Sequence, residues 1–250
     1  MISVVIPCYK GNDTIRRAVM SALNQTYQDV EVIVIDNNRT LDRKLLKTFN
    51  ENIPNVRVYS FDEKISAAAG RNFGINAARG EYVAFLDADD YWREDKLEKQ
   101  LKVMKKYKYR GISPVICFTG RAIVDTSNRF TGKYFGCDKV VTYEKLLKGN
   151  QINCSSVMIR KDVVEKFEFP EGNMHEDYAM WLDILRHGSF AAGIDQPLLR
   201  YRMSPKSQSG NKLKSALMTF RVYMYEGLGV FETLYYMCMY MYNGIKKYFF

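Results

Sequence analysis

Histidine and tryptophan occur only twice each in 250 residues, and the five cysteines (Cys8, Cys117, Cys137, Cys154 and Cys238) are scattered and odd in number. No two form a CxxC pair, and neither histidine stands at zinc-ligand spacing from a cysteine. A sequence-encoded zinc module and a disulfide framework are therefore excluded, and the thiols read as reduced core filler of a cytosolic protein. A glycine-rich phosphate loop is also missing. The segment after the first apolar run, "PCYKGND", holds one glycine and no GxGxxG, which argues against a reductase or sugar nucleotidyltransferase on a related sheet. No signal peptide is expected, because "MISVVIPCYK" opens directly with a strand. No internal repeat or low-complexity linker interrupts residues 1–201.

What is present is ordinary for a folded chain, with 47% hydrophobic and 26% charged residues, so disorder is not the default. The length suits one large domain, or one domain with an appendage. A net charge of +9 asks for an anionic partner or surface. The basic residues form neither a recognition helix nor an aromatic-interleaved platform, so nucleic acid is not that partner. One basic cluster, "REDKLEKQLKVMKKYKYR", reads as a solvated helix face; the other lies at the C-terminus.

A short β-branched run at Ser3–Pro7 predicts a strand buried on both faces, Val30–Ile35 and Val56–Tyr59 read as further strands, and Tyr82–Leu86 is fit for a buried one. Between them, Asp13–Asn24, Leu41–Phe49 and Ser66–Ala78 predict helices, with Ser66 as N-cap of the last. This alternation predicts a mainly parallel α/β sheet flanked by helices, with its ligand crevice beyond the carboxyl ends of the strands. Later strands are expected at Val115–Thr119, Ser156–Ile159 and Leu198–Tyr201, and a helix at Asp177–Arg186.

The fourth strand runs straight into Asp87, Asp89 and Asp90. Asp87 and Asp89 flank Ala88, so an extended chain points them the same way. Like charges this close repel unless a cation sits between them, and carboxylates with room for further ligands suit Mg2+ or Mn2+ sharing a diphosphate. The competing reading is a capping cluster for a helix starting near Lys96.

The stretches "SVVIPCYKGNDTIRRAVMSALNQTY", "VEVIVIDN", "AAAGRNFGINAARGEYVAFLDADD" and "HEDYAMWLDILRHG", in this order, resemble family 2 glycosyltransferases of the GT-A fold. The resemblance implies a GT-A (Rossmann-like) domain over residues 1–205, its nucleotide-binding half at 1–110 and its acceptor-binding half at 111–205, with a C-terminal helical appendage at 206–250. It implies that Asp87, Ala88 and Asp89 meet a metal-bound diphosphate, with Asp89 and Asp87 as metal ligands. It further implies that Pro7 and Tyr9 line the nucleotide pocket, that Asp36 contacts uracil or ribose, and that Arg71 lies near base or diphosphate. An alternative for Arg71 is an ion pair with Asp36 or Asp87. In the resembled family an acid pair before a helix supplies the general base, which points to Asp177 with Glu176 beside it; a purely dipole-favoured helix start is the alternative. Trp181, Asn153 and Ser155 are acceptor-side candidates, the last two equally plausible as groups satisfying a loop.

Two departures stand out. Asp36-Asn37-Asn38-Arg39 replaces the family's frequent acid pair and Gly-Ser, and "YRMSPKSQS" lacks the His often found there, leaving a third metal ligand open and Lys206 or Ser207 as substitutes near diphosphate. His175 reads as a helix-entry residue and His187 as a helix-end partner. The implied reaction is inverting transfer from a nucleotide sugar, expected to be a UDP-sugar, to a glycan hydroxyl, expected on a lipid-linked acceptor for surface polysaccharide. A non-catalytic sugar-binding module on the same fold is the rival.

From Lys206 onward six Lys/Arg stand against two Glu, and Leu228–Tyr242 carries one charge, Glu232. The segment is poor in Leu and Ile and broken by glycines, which disfavours a spanning helix. Its Tyr content suits the headgroup boundary, and Lys246 and Lys247 suit anionic lipid, so docking at the inner face of the cytoplasmic membrane is expected. A homodimer or core packing through these helices is the alternative.

Overall fold

Runs such as Val4-Val5-Ile6 and Val32-Ile33-Val34 are apolar at successive positions, so strands built from them need cover on both faces. The computed structural model describes residues 1–203 and 212–249, with backbone only over 245–249, and supplies that cover. The first half folds as β1 (Ile2–Cys8), α1 (Ile15–Leu23), β2 (Val30–Asp36), α2 (Arg43–Asn52), β3 (Val56–Ser60), α3 (Ala67–Ala77) and β4 (Tyr82–Phe85). Alternate residues then divide between two cores. Val5, Ile33 and Ile35 face Ala68 and Ile75 of α3, while Val4, Ile6, Val32 and Val34 face Ile15 and Val19 of α1.

The chain continues through β5 (Tyr91–Trp92), α4 (Lys96–Lys106), β6 (Ile116–Val124), β7 (Phe130–Phe135), β8 (Val140–Val141), α5 (Tyr143–Leu147), β9 (Met158–Arg160), α6 (Lys161–Val164), α7 (Glu176–Arg186) and β10 (Ala191–Arg202). One sheet carries both expected halves, in the order β3-β2-β1-β4-β9-β6-β10-β5, with β7 beside β6 and β8 beside β10. The first four strands are parallel. β9 runs antiparallel to both β4 and β6, so the sheet is mixed beyond β4, as expected of a mainly parallel design.

Gly74 shows how tightly α3 lies on the sheet: a Cβ there would stand 2.2 Å from Val5 Cγ1. The C-terminal segment forms α8 (Lys212–Tyr225) and α9 (Val230–Phe249). Gly227 adopts φ 72°, the left-handed residue that ends a helix, and its turn reverses the chain into α9. Both helices pack on the body. Tyr223 is buried and donates to the Leu147 carbonyl at 2.6 Å, Arg186 pairs with the buried Glu226, and Asn243 donates to the Lys148 carbonyl at 2.8 Å. Among the described residues no helix is long and apolar enough to cross a membrane. The expected interfacial segment is thus also a packed one on its inner side.

Gly74→Ala should destabilise the fold by about 1–3 kcal/mol, because β-branched Val5 in a central strand has little room to retreat. The check is the urea midpoint, with the denaturant slope unchanged.

Candidate active site

β1, β2 and β4 end together, and the residues that follow them form one edge of the sheet. α3 approaches that edge from a firm start, since the Ser66 hydroxyl accepts the Ala69 N–H at 3.0 Å, the N-cap expected from sequence. One turn on, Arg71 is almost wholly buried. Its Nη2 donates to Asp87 Oδ1 and its Nη1 to Glu176 Oε1, each at 2.9 Å, and its guanidinium lies 5.5 Å from the Phe169 ring centroid. The arginine therefore pairs with Asp87, not Asp36. It also joins the acid loop after β4 to the acid pair that opens α7.

Asp177, next to Glu176, is partly buried and its Oδ1 accepts the Tyr178 N–H at 2.8 Å. Burial, and next the charge of Glu176, push its carboxyl up to about 7, while Arg71 and the Tyr178 amide pull the other way. The balance leaves a carboxylate basic enough to take a proton near neutral pH. His175 is the N-cap residue of α7, and its Nε2 lies 3.0 Å from Ser215 Oγ on α8. It is a helix-entry group anchored to the C-terminal hairpin, while His187 occupies the C-cap.

The capping reading of the acid loop fails: the N-cap of α4 is Asp95, and Asp90 is instead fully buried with Oδ1 accepting the Arg202 N–H at 2.8 Å. That bond pins the loop to the end of β10. Asp89 is exposed as a whole, and its carboxyl is raised first by partial desolvation and then by the charge of Asp87. Two carboxylates, one half-exposed with an oxygen already on Arg71 and one open to solvent, fit a hard divalent ion that keeps other positions for water or phosphate. Among the described residues no cluster of three or more His, Cys, Asp or Glu could enclose such an ion. The candidates Lys206 and Ser207 lie outside the described residues.

One acceptor-side expectation needs correction, and another resolves to its loop-satisfying alternative. Trp181 is fully buried, packed against Phe85 and Phe169 at ring distances of 6.0 and 5.6 Å, so it fills the core beneath the site. Ser155 is also fully buried; its hydroxyl accepts the Asp87 N–H at 3.1 Å and its carbonyl accepts the Trp92 indole N–H at 2.7 Å. It satisfies and positions the acid loop, the second of the two readings that the sequence left open for it. Asn153 is half-buried and its carbonyl accepts the Ser156 N–H at 2.9 Å.

Tyr9 is exposed, with Lys10 and Lys64 ammonium groups 5.4 and 4.8 Å from its ring centroid, and Pro7, near the end of β1, is half-buried. Asp36 is fully buried. Its Oδ1 accepts the Thr40 and Leu41 N–H groups at 2.9 and 3.1 Å, and its Oδ2 accepts the Ser60 hydroxyl at 3.0 Å, so it shapes the turn after β2. Ala88 lies half-buried between Asp87 and Asp89.

Several contributors escaped sequence reasoning. Asn37 exchanges two hydrogen bonds with the main chain of Ile65, at 2.7 and 2.9 Å, and so joins the β2 end to the segment before α3. Arg17 donates to the Asp89 carbonyl at 3.2 Å. The "REDKLEKQ" stretch is not wholly a solvated face. Lys96 and Gln100 are fully buried, Lys96 donates to Gln100 Oε1 at 2.6 Å, and its ammonium sits 3.9 Å from the Trp92 ring centroid. Gln100 in turn donates to the carbonyls of Cys117 and Ser156 at 2.7 and 3.0 Å, supporting the turn that carries Ser155. A cavity of about 680 Å³ lies at the other end of β4. Its rim mixes Arg79, Arg160 and Lys161 with Glu81, Asp162 and Glu165, which offers no single-sign field for a diphosphate.

Residues 3–167 match the family described as Glycosyl transferase family 2. The chain belongs to that family. A Bacillus subtilis (strain 168) protein named as teichuronic acid biosynthesis glycosyltransferase TuaG is 33% identical over 99% of this chain and 97% of its own length. The Escherichia coli protein WfgD, named UDP-Glc:alpha-D-GlcNAc-diphosphoundecaprenol beta-1,3-glucosyltransferase, is 31% identical over 99% of this chain and 94% of its own. Among solved structures, S. aureus TarS 1–349 in complex with UDP-GlcNAc superposes with TM-score 0.71 and 14% identity, covering 98% of this chain and 72% of that one. The family 2 enzyme thus has the GT-A fold expected of it, and its sheet edge carries the acid groups described above.

Arg71→Lys in this glycosyltransferase should lower stability by about 1–3 kcal/mol, since one ammonium cannot reproduce a two-pronged fork and both carboxylates are partly solvated already. Urea unfolding checks the loss, and a matching drop in Asp87→Asn/Arg71→Lys would be smaller than the sum of the single changes.

Proposed function

We propose that this family 2 enzyme transfers a sugar, with inversion, from a UDP-sugar to a hydroxyl of a lipid-linked glycan in surface-polysaccharide synthesis, working at the inner face of the cytoplasmic membrane. The names of the relatives support the polysaccharide and lipid-linked readings, and the solved UDP-GlcNAc complex of a similar fold supports the donor class. One observation carries the chemistry. A buried arginine holds the acid loop and the α7 acid pair together, so a group tuned to about 7 stands beside carboxylates suited to a divalent ion.

In this reading Tyr9 stacks the base, with Pro7 beside it, Lys10 and Lys64 add positive charge for the donor, and Asp36 serves the nucleotide through the turn it fixes. The Asp87-Ala88-Asp89 stretch receives the diphosphate. Mn2+ or Mg2+ held by Asp89 and Asp87 would offset charge on the departing nucleoside diphosphate. Asp177 accepts the proton of the acceptor hydroxyl as that oxygen bonds to the anomeric carbon and the bond to the diphosphate oxygen breaks. Glu176 orients this pair through Arg71, and Asn153 faces the acceptor side. A single displacement needs no carboxylate nucleophile, which distinguishes it from double displacement with retention.

Asp177→Asn should lower kcat by about 10²–10⁴-fold with donor binding nearly unchanged, measured by turnover and by calorimetric titration with the UDP-sugar. An equal loss of donor binding would remove Asp177 as the base.

The pH dependence follows from the raised carboxyl. A base must be ionised, so wild-type kcat should rise through about pH 7 and level above it, a limb that Asp177→Asn lacks. For stability the sign is opposite. A raised folded-state carboxyl costs the folded state progressively as pH climbs from the ordinary Asp range to about 7, so above pH 7 Asp177→Asn should melt at the same temperature as wild type or higher.

A further inference from the structure

Each C-terminal helix carries two apolar stripes, and only one of each is used by the body. On α8, Met218, Val222 and Tyr223 face inward, while Leu213, Leu217, Phe220 and Met224 recur at helical spacing on the outer side, Leu213 being 83% exposed. On α9, Phe231, Leu234, Tyr235 and Tyr242 repeat the pattern, Phe231 being 88% exposed. Isolated exposed apolar side chains are common on protein surfaces, but an aligned row of them on two adjacent helices marks an interaction face.

We infer that the outer face of the α8–α9 hairpin seats in the headgroup boundary of an anionic bilayer and sets the height of the acid pair above it. Three observations favour lipid over protein as the occupant. Among the described side chains the exposed charges flanking the stripes are mainly basic, Lys212 and Lys214 against Glu232, which complements anionic lipid. The outer rows mix Tyr, Phe and Met with Leu, the composition of a boundary layer, and no described helix is long and apolar enough to cross a membrane. The hairpin is also tied to the site: His175, one residue before Glu176, meets Ser215 of α8 at 3.0 Å, and Ser215 Oγ lies 3.3 Å from the Tyr240 hydroxyl of α9. A surface seated through these helices holds the N-terminus of α7 at a fixed distance from the membrane. That last link rests on the proposed lipid-linked acceptor; the lipid contact itself does not.

The test is co-sedimentation of the full chain with vesicles of phosphatidylglycerol and phosphatidylethanolamine, without any nucleotide sugar. The Phe231→Glu/Leu234→Glu variant, with Leu217→Glu as an independent second probe, should bind vesicles about tenfold or more weakly, with unchanged circular dichroism and melting. Turnover on a lipid-linked acceptor in vesicles should fall, while turnover on a short water-soluble acceptor stays. Wild type that ignores these vesicles, or variants that bind them equally, would overturn the inference. So would a wild-type dimer in light scattering that Phe231→Glu/Leu234→Glu dissociates with no change in lipid binding. Vesicle binding by a chain inactive on every UDP-sugar would instead sink the proposed reaction and leave this face standing.

Discussion

A guanidinium with almost no access to water, shared between Asp87 and Glu176, is the interaction on which the site depends. The three residues are far apart in sequence and come from α3, the loop after β4 and the first turn of α7. Burying the arginine alone would cost several kcal/mol, and the two carboxylates at 2.9 Å offset that cost only while both stay in place. Each acid thus has its position fixed by the other. Because Arg71 also lies over Phe169, which packs on Trp181, the ionic bridge rests on an aromatic floor that closes the core from below.

The acid loop is held from several further directions. Ser155 takes the Asp87 amide, the main chain of Arg202 reaches Asp90, and Arg17 reaches the Asp89 carbonyl. Behind Ser155 stands a polar chain from Trp92 and Gln100 to Lys96, whose ammonium is pushed down to about 7 by burial and has the Trp92 ring and the Gln100 amide as partners. A lysine in the first turn of a helix opposes the dipole as well as losing its water. Its retention inside the fold makes sense as a fixed strut under the loop, since the same Gln100 that receives it binds two carbonyls of neighbouring elements. Positional restraint of this kind limits how far Asp87 and Asp89 can move apart under their mutual repulsion.

Legibility followed burial. The strands apolar on both faces and the helices with one clear stripe could be read from the chain, as could Ser66 as a cap and the two acid groups as the centre of interest. β5 and β8 are two residues each, too short for any period, and β7 is almost wholly exposed, with no alternation to betray it. Trp181 and Ser155 were acceptor-side candidates through the family resemblance, with Ser155 equally open to a role in satisfying a loop. Whether such a side chain points into a cleft or a core is set by tertiary packing, which period and composition do not encode. Lys96 and Gln100 were hidden for the same reason, sitting in a stretch whose other charges do face water. Arg71 was legible as a participant, but its second partner lies 105 residues away and no local pattern connects them.

The hairpin and Asp177 illustrate one physical theme, a group held in an environment that opposes its usual state. Asp177 sits at a helix start that favours a negative charge, beside an arginine that favours it further, yet burial and Glu176 outweigh both. Were the acid pair only a cap, the cheaper arrangement would leave both carboxylates in water, where the dipole alone stabilises them. A partly buried carboxylate raised towards neutrality costs stability whenever it is ionised, and a fold keeps such a cost where proton transfer repays it. The same reasoning applies to the outer apolar rows of α8 and α9. A hairpin needed only for packing would satisfy its inner stripe and cover the rest with charge, and these helices do the first without the second.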